Sequence, residues 1–149
     1  MNKNRFSATI KNMGTSLLAD GTTIRIKAHG YSMYPSIKPG SLLIIEPLKQ
    51  KGAPQPGEII VIKRESGLVV HRLVKILIKD GVRYYIARGD SNAYADSPVP
   101  LGMIAGRVAK AEATGENRTP ADIRTKKRPN YFLNRMRVIL IMIRIKIRS

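Results

Sequence analysis

The catalytic inventory of this chain is short. It has no cysteine and only two histidines, His29 and His71, which excludes disulfides, thiol catalysis and cysteine-based zinc sites. Three residues after His29 stands Ser32, in the string Gly30-Tyr31-Ser32-Met33-Tyr34-Pro35, followed by Ile37, Pro39 and Gly40. This serine lies between a strand ending near Ala28 and a proline-restricted turn. Such a position lifts a hydroxyl off the regular ladder and leaves neighbouring backbone N–H groups free, as a nucleophile with an oxyanion hole requires. An isolated serine beside proline is more often simply a turn residue. His71 sits in Val69-Val70-His71-Arg72-Leu73-Val74, where period-two spacing puts it on one strand face with Val69, Leu73 and Lys75. A lone histidine there is more often a satisfied, half-buried side chain than a base. Arg88-Gly89-Asp90-Ser91-Asn92, with Asp96 beyond, places two carboxylates directly after a strand, although ordinary turn chemistry uses the same residue types.

The elements that must carry these residues read mostly as strands. Ser7 to Asp20 has a loose helical pattern (Ile10, Met13, Leu17, Leu18) ending at Asp20-Gly21. Ile24 to Ala28 then alternates with Arg25 and Lys27 as a half-buried strand. Leu42 to Ile45 follows Pro39-Gly40, and Glu58 to Lys63 follows Pro56-Gly57. Leu68 to Ile78 is a long β-branched stretch that Asp80-Gly81 turns into Val82 to Ala87, and Met103 to Ala113 closes the series. The expected fold is mainly β, with a short N-terminal helix and a helical C-terminal tail. A chain of 149 residues suits one such core, burying ~70% of its unfolded surface. The expected division is a body over residues 1–116 and a basic linker and tail over 117–149.

Charge is concentrated at the end. Lys plus Arg is 27 against 10 for Asp plus Glu, a net +17. From Arg118 to Ser149 ten basic residues face one acid, Asp122. An anionic partner is implied, a membrane surface or nucleic acid. Nucleic acid is disfavoured because only Tyr131 and Phe132 offer stacking rings near the tail. Thr114 to Asn130, with Pro120, Pro129 and Lys126-Lys127-Arg128, reads as a linker. Tyr131 to Ser149 fits two patterns. Val138, Ile141, Met142 and Ile145 share a helical face, while Ile143, Ile145 and Ile147 alternate with Arg144 and Lys146 as in a strand. We favour a basic amphipathic helix touching an anionic membrane; the alternative is a segment packed on the body or on another subunit. Met1 to Asp20 holds no apolar stretch of signal-peptide length. The longest apolar run near the end, Val138 to Ile143, is six residues, against roughly 20 for a spanning helix. A cytoplasmic protein, peripheral on the inner membrane face, is the expectation.

Together the motifs resemble a family. Gly30-Tyr31-Ser32-Met33-Tyr34-Pro35-Ser36-Ile37, followed by Pro39-Gly40-Ser41-Leu42-Leu43, is similar to the nucleophile box of type I signal peptidases. Gly57-Glu58-Ile59-Ile60-Val61 resembles that family's next strand. Val70-His71-Arg72-Leu73 resembles the base box of the endoplasmic-reticulum and archaeal type, which has His where the common bacterial enzymes and the LexA-like repressors have Lys. Arg88-Gly89-Asp90-Ser91-Asn92 with Asp96, and Ile104-Ala105-Gly106-Arg107-Val108, are similar to the two closing boxes. The five boxes occur in family order over about residues 15 to 113.

The resemblance implies a serine endopeptidase on coiled β-sheets that cleaves a precursor protein or peptide without cofactor or metal. Ser32 would attack the scissile carbonyl, His71 would carry the proton, and Asp90 or Asp96 would orient the imidazole. Gly30, Met33 and Pro35 would shape the nucleophile box, and the Ser32 N–H would serve the oxyanion. Imidazole as a class titrates at ~6.5, which suits a base at neutral pH. Three departures stand out. Gly30 replaces the hydroxyl residue that many bacterial relatives place two before the nucleophile, and neither the usual membrane anchor nor the large substrate-gating insertion is present. A self-cleaving peptidase is a second reading, although no helix-turn-helix precedes the body. From a different class comes a catalytically idle basic module that binds anionic membrane or nucleic acid. Its salt-sensitive binding would survive Ser32→Ala and His71→Ala.

Overall fold

Apolar runs punctuated by Pro-Gly and Asp-Gly fold as the strands they predict. A computed structural model describes residues 12–113, 116–118 and 129–148. Its strands are β1 (Ile24–Lys27), β2 (Leu42–Glu46), β3 (Ile59–Arg64), β4 (Gly67–Lys79), β5 (Val82–Arg88), β6 (Val99–Pro100), β7 (Ile104–Ala113) and β8 (Glu116–Arg118). They form one sheet in the order β1-β2-β7-β3-β4-β5-β6, with β8 paired to β7. Every pairing is antiparallel. A helix, α1, covers described residues 12–19, and α2 spans Tyr131–Arg148. The fold is mainly β with a helix at each end, as expected.

The Asp80-Gly81 corner shows why the turn signal was reliable. Lys79 pairs with Val82, and both corner residues have positive φ, 51° and 76°. That is the left-handed pair a two-residue hairpin needs, and Asp and Gly tolerate it best. The apolar run Ile59-Ile60-Val61-Ile62 has a different cause. Ile59 and Val61 face one core with Leu18, Leu43 and Ile45. Ile60 and Ile62 face a second with Leu73, Tyr85 and Val99. β3 is covered on both faces, so no polar alternation survives in its sequence.

β4 links the two cores. Its first half, Gly67 to Arg72, pairs with β3, and its second half, from Arg72, pairs with β5. A register shift between Leu73 and Lys75 bends the strand between them. The expected shared face of Val69, His71, Leu73 and Lys75 is broken there: Leu73 is buried and Lys75 exposed.

Two elements differ from expectation. β6 is a two-residue bridge that the sequence pattern is too short to announce. Within the expected linker, Glu116–Arg118 extends the sheet as β8, across the expected boundary at 116/117. Residues 114–115 and 119–128, with Pro120 and the Lys126-Lys127-Arg128 run, lie outside the described residues, as do residues 7–11 of the expected first helix. The C-terminal segment is helical, so the strand alternative is overturned. A helix satisfies its backbone groups internally, whereas a strand needs a neighbouring edge. No helix among the described residues is long and apolar enough to cross a membrane.

Candidate active site

The loop after β1 is anchored by its apolar residues and raises its polar one. The Ala28 N–H donates to the Ser41 carbonyl at 2.8 Å, and the Gly40 N–H to the Ala28 carbonyl at 2.9 Å, closing the loop at its base. Gly30 opens it at φ +75°, and Pro35 follows a cis peptide bond. Inside, the Tyr34 N–H donates to the Tyr31 carbonyl and the Ile37 N–H to the Met33 carbonyl, both at 2.9 Å. Met33 and Ile37 are 4% and 3% exposed and belong to the first core. Ser32, beside Met33, stays half-buried. Among the described residues its N–H meets no carbonyl acceptor.

Ser32 and His71 line one cleft of about 350 Å3. Its walls include Ile26 and Ala28 on one side and Leu68 and Val70 of β4 on the other, with Lys27 and His29 also lining it. His71 is buried on β4 opposite Ile60 of β3. Its Nδ1 lies 2.6 Å from Asp96 Oδ2. The Asp96 N–H donates to the Ala87 carbonyl at 2.7 Å, which fixes that carboxylate against the end of β5. With Nδ1–H donated to Asp96, the imidazole's other nitrogen is the basic one.

Asp90 is engaged elsewhere. Arg72, one residue along β4, projects from the opposite face of the strand. Its Nε and Nη2 donate to Asp90 Oδ1 and Oδ2, both at 2.8 Å, with side chains 2% and 0% exposed. The Ser36 hydroxyl donates to the same carboxylate, and Arg72 Nη1 donates to the Gly57 carbonyl at 2.9 Å. Of the two carboxylates singled out in the sequence, Asp96 meets His71 and Asp90 ties β4 to the nucleophile loop.

The turn carrying Asp90 presses directly on that loop. The Ser91 N–H donates to the Ser32 carbonyl at 2.9 Å, and its hydroxyl to the Tyr31 carbonyl at 2.6 Å. A Cβ on Gly89 would stand 2.7 Å from both the Ser32 carbonyl oxygen and Asn92 Cγ. Gly89→Ala must therefore push the turn off the loop. We expect a loss of about 1–3 kcal/mol of stability, as for other overpacked sites, and a drop in any Ser32-dependent activity beyond what that loss explains. Denaturant unfolding and cleavage assays on the same preparation check both, and wild-type behaviour in each would refute this account of Gly89.

The far side of the turn is held by α2. Arg88 lies over the Tyr131 ring, 3.5 Å from its centroid, and donates to the Asn92 and Ala93 carbonyls. Asn134 Nδ2 donates to the Asp90 carbonyl at 3.0 Å. Arg72 as an ion-pair partner, Ser36, Ser91 and Asn134 were not singled out in the sequence, and Tyr131 was noted there only as a ring near the tail. Only Arg72 left a signal there, as a charge inside an apolar strand. Among the described residues no group of three or more His, Cys, Asp or Glu is placed to hold a metal ion. No curated protein matches the chain. A family model described as Peptidase S24-like matches residues 4–109, a span that contains the whole cleft and both carboxylates.

Proposed function

Because the chain belongs to the Peptidase S24-like family, its function is of peptidase type, and we propose that it is a Ser-His-Asp endopeptidase acting on an extended segment of a precursor protein or peptide. The observation that carries this reading is one arrangement: Ser32 and His71 on a common cleft, with His71 Nδ1 2.6 Å from Asp96. In the proposed reaction Ser32 Oγ attacks the scissile carbonyl while His71 Nε2 takes its proton. His71 then returns that proton to the leaving amine, and water releases the acyl group by the same steps in reverse roles. Asp96 holds the ring and stabilises the imidazolium. The Ser32 N–H faces the developing oxyanion. Asp90 is a positioning residue: through Arg72 and Ser36 it braces the nucleophile loop. A histidine base on this scaffold is the feature that resembles the endoplasmic-reticulum and archaeal signal peptidases.

Substrate class follows from the walls. Among the described residues β1 pairs only with β2, and a strand added at its other edge would meet main-chain groups. Ile26, Ala28, Leu68 and Val70 make an apolar slot beside it, suited to apolar side chains flanking the cleaved bond. The decisive experiment compares N-terminal peptide profiles of cells expressing the native chain with cells expressing Ser32→Ala at equal level. New N-termini that disappear in the variant, with apolar residues at the cleaved junction, are expected. Identical profiles from folded proteins would overturn the proposal. Mixing tagged Ser32→Ala chain with native chain separates cleavage of other molecules from self-cleavage.

A further inference from the structure

α2 touches the body along one narrow side. Asn134 is buried, and Tyr131, Val138 and Ile141 are half-buried. At ~100° per residue these four lie within one face. Met142 and Ile145 continue that face but are both 52% exposed. The face expected from sequence to meet the membrane (Val138, Ile141, Met142, Ile145) is therefore the side turned to the body, and its first half packs there.

The opposite side carries a second, wider apolar stripe. Phe132, Met136, Ile139 and Ile143 are exposed along it, as are Leu133, Leu140 and Ile147. Their spacing of one, three and four residues fills an arc of about 120° along a helix of about 27 Å. Arg135 and Lys146 border one margin of this arc, and Arg137, Arg144 and Arg148 the other. No acidic residue occurs in the whole helix. An apolar stripe edged by cations on both sides matches the interface of a bilayer, where side chains enter the acyl boundary and long basic side chains reach up to lipid phosphates. A second copy of the chain fits poorly, since apposed stripes would bring together two helices that each carry five cations and no acidic residue. Five cations suit a helix that lies on a bilayer and not one that crosses it.

We propose that α2 seats this protein on an anionic lipid surface through the stripe centred on Met136, Leu140 and Ile143, with the flanking arginines on lipid phosphates. The first turn of the same helix bonds to the Asp90 carbonyl and stacks on Arg88, so the seat is joined to the turn that braces the cleft. This inference stands apart from the peptidase reading, and its test uses the full chain carrying Ser32→Ala.

The test is co-sedimentation with vesicles of phosphatidylglycerol mixed into phosphatidylcholine, against vesicles of phosphatidylcholine alone. Binding to the anionic vesicles is expected, weakening as salt rises. Leu140→Asp combined with Ile143→Asp should lower it at least about tenfold. Both side chains are exposed and away from the body, so the melting temperature should not change. Arg137→Gln with Arg144→Gln should cut binding to anionic vesicles by about tenfold or more, at roughly 1 kcal/mol per basic residue. Three results would overturn the proposal: a chain that stays in solution with anionic vesicles, equal binding to both vesicle types, or undiminished binding by the double aspartate variant. So would a lipid-free dimer in sedimentation velocity that the aspartates dissociate, since a second copy would then cover the stripe.

Discussion

Ser32→Ala and His71→Ala should each reduce cleavage by at least about a thousandfold, while the double variant should be no worse than either alone. Nucleophile and base act as one unit, so removing either removes the proton-coupled attack, and the small residue left comes from binding and oxyanion stabilisation. Asp96→Asn should also cost orders of magnitude in kcat. An amide facing Nδ1 stabilises the wrong tautomer and cannot balance an imidazolium. The measurement is kcat and KM on a peptide spanning a junction found by N-terminal profiling, with thermal melts to show that each variant folds. Asp96 is partly exposed, its side chain at 20%, so Asp96→Asn should melt close to the native chain. An active His71→Ala enzyme would end the Ser-His mechanism. A silent Asp96→Asn beside an inactive, well-folded Asp90→Asn would reverse the roles given to the two carboxylates.

Arg72→Leu should produce the largest loss of stability, about 3–5 kcal/mol, because it strands the fully buried Asp90 carboxylate without its guanidinium. For a chain of this length that is a fall in melting temperature on the order of 10 °C. Asp90→Asn should cost a comparable amount by leaving the Arg72 charge uncompensated. The double variant Arg72→Leu with Asp90→Asn should cost clearly less than the sum, since neither unpaired charge then remains. Urea unfolding of the four proteins closes the cycle. Single losses below about 1 kcal/mol, or strict additivity, would show that the pair does not brace the turn. Arg72 donates to Asp90, Ser36 and the Gly57 carbonyl, whereas His71 meets Asp96. Below the variants' melting range, cleavage should therefore fall far less than in Asp96→Asn.

Much of this was legible before any coordinates. Period-two alternation in Ile24 to Ala28, the apolar run of β3 and the Asp80-Gly81 corner each follow from local sterics and from which faces are covered. The strands they mark fall within a residue or two of their expected limits. Where the signal is too short to have a period, as in β6, or lies in polar chain, as in β8, pairing with a neighbour created the strand and the sequence was silent. Ser32, His71, Asp90 and Asp96 were weak signals singly, since turns and half-buried strands use the same residue types; they stood out because the boxes that hold them occur in the order of the family they resemble.

By itself the sequence determined the β-rich class, the few groups able to do acid–base chemistry, and a cationic end with amphipathic potential. It could not assign partners to two aspartates six positions apart on one loop. That choice was made by β4, whose consecutive residues His71 and Arg72 project to opposite faces of the strand, so that one draws Asp96 and the other Asp90. The outward face of α2 was decided the same way. Tyr131 and Asn134 dock on the turn at Arg88 and Asp90, and that contact sets the rotation of the whole helix. Which apolar stripe is covered and which is left for a surface is a property of that docking, because a helix apolar on two sides carries no local information about which side meets the body.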